Sequence, residues 1–211
     1  MIDKRIQQYT EDYSTPHSAL LHKLYRETNL KVMHPRMLSG SQQGRFLSML
    51  SHMLQPKAIL EIGTYTGYSA LCLSEGLPKG GKIITIEIDR ELEEIAGRYF
   101  KEAGVQDKIL PYFGNALELI PQMEQSFDLV FMDADKENYP AYYQMVFDKV
   151  RVGGYILADN VLWSGKVLEN TNSNDKDTQG IRAFNALVQN DPRVENVLLP
   201  IRDGLMLIRK K

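Results

Sequence analysis

The sequence predicts an α/β protein with a doubly wound, mostly parallel sheet, helices on both faces, and further helices added at the N-terminus. Two observations carry that expectation. From Lys57 onward, short apolar runs alternate with amphipathic stretches. That is the pattern of strands buried on both faces and joined by crossover helices. Before Lys57, apolar residues recur at helical spacing instead: Leu20, Leu21 and Leu24 in one segment, Phe46, Leu47, Leu50, Met53 and Leu54 in another.

The elements follow in order. The first 55 residues read as helical, with one segment starting near Ser14 or His17 and one spanning Gly44 to Leu54; Pro16, Pro35 and Pro56 punctuate them. AILEI (58–62) is a buried strand, followed by a helix from Gly67 to Leu77. KIITIEI (82–88) is the second strand, with a helix from Arg90 to Ala103 closed by Gly104. KILPYF (108–113) and a short helix from Ala116 to Met123 come next, then FDLVFM (127–132) and a helix from Tyr139 to Val150. GYILAD (154–159) is the fifth strand; after a long polar loop, Thr178 to Gln189 is helical. ENVLLPI and GLMLIRK, around Arg202-Asp203-Gly204, form a final strand pair. We expect one domain over 1–211, with 1–55 a helical cap segment and 56–211 the core.

Length and composition allow this. A chain of 211 residues with 43 % hydrophobic and 25 % charged residues suits one globular domain. Folding at this length buries roughly 70 % of the unfolded surface, enough for a core without disulfides. The one cysteine, Cys72, lies in the apolar stretch SALCLSEGL and is expected to be a buried free thiol. A net charge of −2 gives no broad basic field for nucleic acid. No apolar run is long enough to cross a membrane, and the polar start MIDKRIQQYTEDYS has no signal-peptide core, so a cytoplasmic protein is expected.

In such sheets ligands sit beyond the carboxyl ends of the strands. The residues following 62, 88, 113, 132 and 159 are therefore the informative ones. After the first strand comes Glu61-Ile62-Gly63-Thr64-Tyr65-Thr66-Gly67-Tyr68-Ser69. Its glycines are spaced G-x-x-x-G, and Tyr65 stands where a dinucleotide fingerprint has its middle glycine, the one that admits a pyrophosphate. No P-loop lysine follows. Glu87, at the end of the second strand, is placed to accept ribose hydroxyls, or else is a solvated strand end; Asp89 caps the next helix. A nucleoside cofactor without a pyrophosphate fits, and S-adenosylmethionine is one. Glu61 suits its ammonium group or local backbone N–H groups. Asn115 and Ala116 fall where adenine would lie, with Asn115 also a helix cap.

The fourth strand runs into Asp133-Ala134-Asp135-Lys136 and the fifth into Asp159-Asn160. Asp133, Asp159 and Asn160 make an oxygen-only donor set, which suits Mg²⁺, Ca²⁺ or Mn²⁺. A lone aspartate at a strand end is usually a cap; two on neighbouring strands are harder to explain that way. Lys136, three residues beyond Asp133, is either a solvated loop residue or a general base for a hydroxyl proton.

These residues resemble a known family. LEIGTYTGYSA (60–70), IITIEID (83–89), FDLVFMDADKENY (127–139), VGGYILADNVLWSGKV (152–167) and DPRVENVLLPIRDGLMLIRKK (191–211) are similar to class I methyltransferases of the caffeoyl-CoA and catechol O-methyltransferase type. The resemblance runs from about Met37 to the C-terminus. It implies a Rossmann-like methyltransferase fold of seven strands, the last antiparallel. It implies Asp133, Asp159 and Asn160 as ligands of a divalent cation, magnesium above all, and Lys136 as the base. It implies Glu87 on the ribose, with Ser39, Glu61, Gly63, Tyr65, Ser69, Ala116 and Asp133 also contacting S-adenosylmethionine. Trp163 would wall the acceptor pocket or simply pack. Ala134-Asp135 follows the caffeoyl-CoA and bacterial pattern; the animal catechol enzymes carry bulky residues there.

The implied activity is methylation of a hydroxyl on a small aromatic vicinal diol, by a homodimer. Residues 1–35 match little of the family, and the 164–178 loop departs from the plant enzymes where they grip the acceptor. One alternative keeps the chemistry but takes a hydroxyuridine in transfer RNA, with Lys4, Arg5, Lys31, Arg36 and Arg45 as a basic patch. The other is an NAD-linked oxidoreductase on the same kind of sheet.

Overall fold

The computed structural model describes residues 4–169 and 174–211. Its strands are β1 (Ala58–Ile62), β2 (Lys82–Glu87), β3 (Ile109–Phe113), β4 (Phe127–Met132), β5 (Val150–Asp159), β6 (Val194–Leu199) and β7 (Leu205–Lys210). The helices are α1 (Lys4–Asp12), α2 (Ala19–Lys31), α3 (Gly40–Leu54), α4 (Tyr68–Ser74), α5 (Glu93–Glu102), α6 (Ala116–Leu119), α7 (Tyr139–Phe147) and α8 (Lys176–Gln189). Among the described residues the strands form one seven-stranded sheet in the order β3-β2-β1-β4-β5-β7-β6. β4 runs parallel to β1 and β5, β2 parallel to β3, and the last strand, β7, antiparallel to β5 and β6. This is the doubly wound sheet the sequence predicts, with its N-terminal helices. No helix among the described residues is long and apolar enough to cross a membrane.

Contacts divide the chain into two compact units. The first comprises Ala58–Ile62 and Asn115–Lys211. Here the strand order reverses between β1 and β4, the kind of switch point beside which ligands bind in α/β sheets. Leu129, Val130, Phe131 and Met132 of β4 are fully buried, which is why residues 129–132 read as an unbroken apolar run. On α7 and α8, Tyr139 and Tyr143 meet Phe184 edge-on, with ring centroids 5.4 and 6.0 Å apart.

β5 begins four residues before the expected Gly154, and α7 ends at Phe147 rather than Val150. Val150 pairs with Phe127, and a register irregularity follows before Leu129 pairs with Tyr155. The Gly153-Gly154 pair is thus an irregularity within a strand, not a turn before it.

The second unit comprises Ile2–Lys57 and Gly63–Gly114. Ser18 caps α2 by accepting from Leu21 N. Cys72 is buried and forms no disulfide, as expected. Glu27 of α2 accepts hydrogen bonds from Arg98 (2.8 and 3.0 Å) and from the Tyr99 hydroxyl (2.7 Å), both on α5, and from Lys31 (3.0 Å). The bonds from Arg98, then Tyr99 and Lys31, hold its carboxyl below the ordinary 4.5, at about 2. A carboxyl depressed in the folded state contributes stability that is complete above its unfolded value and is lost as pH falls toward its folded one. We expect the urea midpoint to drop between pH 4.5 and pH 2, and to drop less in Glu27→Gln. Equal acid sensitivity of the two proteins would show that this network does not stabilise the fold.

Candidate active site

In the second unit, the glycine turn between β1 and α4 has three residues with left-handed backbone: Gly63 (φ 100°), Tyr65 (φ 49°) and Gly67 (φ 88°). Tyr65 therefore takes a conformation natural to glycine while carrying a large side chain. Its hydroxyl donates to Met33 O at 3.0 Å, and burial raises its pKa. Gly63 N and Thr64 N both donate to Ile86 O, at 2.9 and 3.2 Å, which ties the turn to the end of β2.

Glu87 is not a solvated strand end. It is 9 % exposed; one carboxylate oxygen accepts from Tyr65 N (2.7 Å) and the other from Asp89 N (3.0 Å). A carboxylate has about four acceptor positions, so hydroxyls can still be bound. Asp89 caps the following turn through Glu91 N, as expected. Ser69 lies buried in the first turn of α4, and Ser39 lies buried at the start of α3. Thr28 and Thr66, which sequence reasoning passed over, are fully buried and hydrogen-bonded at 3.1 Å, joining α2 to the glycine turn.

In the first unit, Glu61 on β1 is completely buried. Ile62 O accepts from Asp133 N at 2.8 Å. Asn115 caps α6 through Leu117 N, and Ala116 is buried beside it. The ends of β4 and β5 lie side by side: Met132 is in register with Ala158, so Asp133 and Asp159 each follow a paired residue. Asp159 is 2 % exposed and accepts from Asn160 N at 2.7 Å; Asn160 has left-handed backbone, φ 60°. Among the described residues no group of three or more His, Cys, Asp or Glu is placed to hold a metal; this donor set is two carboxylates and an amide.

Lys136 is buried, not a solvated loop residue. Its ammonium donates to Asp133 Oδ1 (2.9 Å) and to the Tyr139 hydroxyl (2.8 Å), and lies 4.8 Å from the Tyr139 ring centroid. Tyr139 is fully buried, and its hydroxyl also faces Asp159 O (2.9 Å) and Met132 O (3.1 Å). Burial, followed by the charges of Asp133, Asp159 and Asp135, raises this phenol well above its ordinary pKa and keeps it neutral. Asp135 is engaged elsewhere, by the Tyr142 hydroxyl (2.5 Å) and Asn138.

Three further residues shape this end. Gly180 lets α8 press against the turn Lys136–Asn138: a Cβ there would lie 2.3 Å from Lys136 O. A glycine inside a helical pattern was the available signal. Arg182, also on α8, donates to Val167 O (3.0 Å), Lys166 O (3.3 Å) and Glu169 O. Trp163, half-buried and left-handed (φ 47°), has an indole N–H with no hydrogen-bond partner among the described residues. Residues 170–173 of the 164–178 loop lie outside the described residues. Of the basic residues considered for nucleic acid, Lys31 pairs with Glu27 (3.0 Å) and Arg45 with Glu75 (3.5 Å).

Comparison with known proteins agrees with this arrangement. A family model described as O-methyltransferase matches residues 11–211. The caffeoyl-CoA O-methyltransferase of Medicago sativa is 36 % identical over 212 residues, covering 95 % of this chain and 85 % of the relative. The structure of the Bacillus cereus O-methyltransferase in complex with SAH superposes with a TM-score of 0.88 at 33 % identity, over 98 % of this chain and 97 % of that one. The O-methyltransferase TomG of Streptomyces achromogenes, involved in tomaymycin synthesis and solved in complex with SAM, gives 0.91 at 27 % identity over 100 % of both chains. These matches displace the NAD-linked alternative. The chain belongs to the O-methyltransferase family, as a relative of the caffeoyl-CoA O-methyltransferases.

Proposed function

We propose that this enzyme moves the methyl group of S-adenosylmethionine to one hydroxyl of a small aromatic acceptor bearing two adjacent hydroxyls. The observation that carries the reading is the buried Lys136 ammonium, held 2.9 Å from Asp133 at the end of β4, with Asp159 at the end of the next strand. Lysine is almost never buried unless paired, so its burial here against a strand-end carboxylate supports a role in the chemistry. Relatives support the donor and the acceptor class: two solved ones hold SAH or SAM, and the curated ones are named for a caffeoyl thioester.

Asp133, Asp159 and Asn160 fit a hard divalent cation, Mg²⁺ first and Ca²⁺ or Mn²⁺ next. All three offer oxygen, and parallel strands bring such ends within about 5 Å. When bound, the cation would stabilise the ionised form of an acceptor hydroxyl. The chain's own residues do the rest. In its neutral amine form, Lys136 Nζ takes the hydroxyl proton and becomes the ammonium. The acceptor oxygen then forms a bond to the methyl carbon as the carbon–sulfur bond breaks, releasing S-adenosylhomocysteine. Glu87 is assigned to the ribose hydroxyls; Ser39, Glu61, Gly63, Tyr65, Ser69, Ala116 and Asp133 are assigned to the rest of the donor.

Transfer to a catechol is expected to fall at least about 100-fold in excess chelator and to return with Mg²⁺. Unchanged activity in chelator would remove the cation from the reading. Methylation of undermodified transfer RNA without methylation of catechols would replace the acceptor. That second acceptor is less favoured, because Lys31 and Arg45 are already paired with acids. The same reading takes the enzyme as a cytoplasmic homodimer, in which a second copy covers the exposed Met49 and Met53 of α3.

A further inference from the structure

We propose that Tyr139 is a positioning residue for Lys136, fixing where the amine points by accepting its N–H while being held itself by the ends of β4 and β5. This rests on the assignment of Lys136 as the base. The hydroxyl of Tyr139 has one hydrogen to donate and lone pairs to accept with. Two main-chain carbonyls compete for that hydrogen, Asp159 O at 2.9 Å and Met132 O at 3.1 Å. With the hydrogen committed to carbonyls, the oxygen can only accept from Lys136, at 2.8 Å.

The consequence is directional. An ammonium has three N–H bonds and a neutral amine has two, so one can stay on Tyr139 in both states. The lone pair of the neutral amine is then turned away from Tyr139, and a second direction is already taken by Asp133. One remaining direction is left for an acceptor hydroxyl. The ring cannot easily swing to spoil this, because it is fully buried and packs edge-on against Phe184 at 5.4 Å. The same hydroxyl touches main-chain groups on both strand ends, so the amine is referenced to the strands that carry Asp133 and Asp159. Holding a reacting group in one orientation is worth orders of magnitude in rate.

The test is a double-mutant cycle with Tyr139→Phe and Lys136→Met, read as kcat, acceptor KM and the Kd for S-adenosylhomocysteine. Tyr139→Phe alone is expected to lower kcat roughly 10- to 100-fold, with the Kd within about twofold. In the Lys136→Met background the same change should alter the residual kcat less than about twofold, because no amine remains to orient. Tyr142→Phe, which removes another buried hydroxyl bond from the same helix, should leave kcat within about twofold.

A second replacement guards against misfolding. At position 139, 4-aminophenylalanine can still donate to Asp159 O but is a poor acceptor, so it should restore the unfolding midpoint while kcat stays low. Equal kcat losses from Tyr139→Phe in both backgrounds, or full kcat with the amino analogue, would overturn the proposal while leaving Lys136 as the base. Full activity of Lys136→Met would overturn both.

Discussion

Replacing Lys136 with methionine is expected to lower kcat for methyl transfer by roughly 100- to 10,000-fold, the range typical for loss of a positioned general base. Methionine keeps most of the length and apolar bulk of the lysine stem in a site that is only 6 % exposed. What disappears is the nitrogen, and with it the donor to Asp133 and to Tyr139. The Kd for S-adenosylhomocysteine should change little, which separates loss of chemistry from loss of the donor site. Stability should also fall, by roughly 1–3 kcal/mol, because the Tyr139 hydroxyl and the Asp133 carboxylate lose a charged partner. Steady-state assays with a labelled methyl group, run beside urea unfolding, report both effects. Full rate in this variant across pH 6 to 9, a range of about three units around the working pH of most general bases, would remove the base assignment.

The second large effect is structural. Gly67→Ala is expected to destabilise the fold by roughly 2–5 kcal/mol. The left-handed backbone at φ 88° costs an L-residue about 1–2 kcal/mol. The new methyl would also lie 2.6 Å from the Phe100 ring, and overpacking of that kind costs about 1–3 kcal/mol. Phe100 is 2 % exposed, so its ring cannot yield by turning out into solvent without losing its burial. Because the strain sits in the glycine turn, binding of S-adenosylhomocysteine should weaken together with stability. Urea unfolding with an unchanged m-value would show the loss as a shift in midpoint. A midpoint equal to wild type would mean that α4 and α5 can part without cost, against the packing described.

Much of this is legible in the sequence. Glu87 closes β2, Asp133 and Lys136 follow β4, and Asp159 closes β5 with Asn160 after it, so all stand at the carboxyl ends of strands that the alternation marks out. Asp89, Asn115 and Cys72 took the cap and core positions read from their neighbours. Boundaries were less legible where glycine or proline carries two meanings. Gly153-Gly154 marks an irregularity inside β5, and Pro121 sits in a 3-10 turn after a single turn of α6.

The sequence by itself determined the order and type of elements, because burying a strand on both faces or a helix on one demands apolar residues at a period that local reading detects. It also determined which polar residues stand at the strand ends. Only the tertiary structure decided what those residues touch. The Tyr139 hydroxyl reaches a carbonyl twenty residues away, Thr28 meets Thr66 across 38 positions, and Gly180 admits a helix against the main chain of Lys136. Such contacts are set by how strands register and helices dock, and no periodicity in the chain records them.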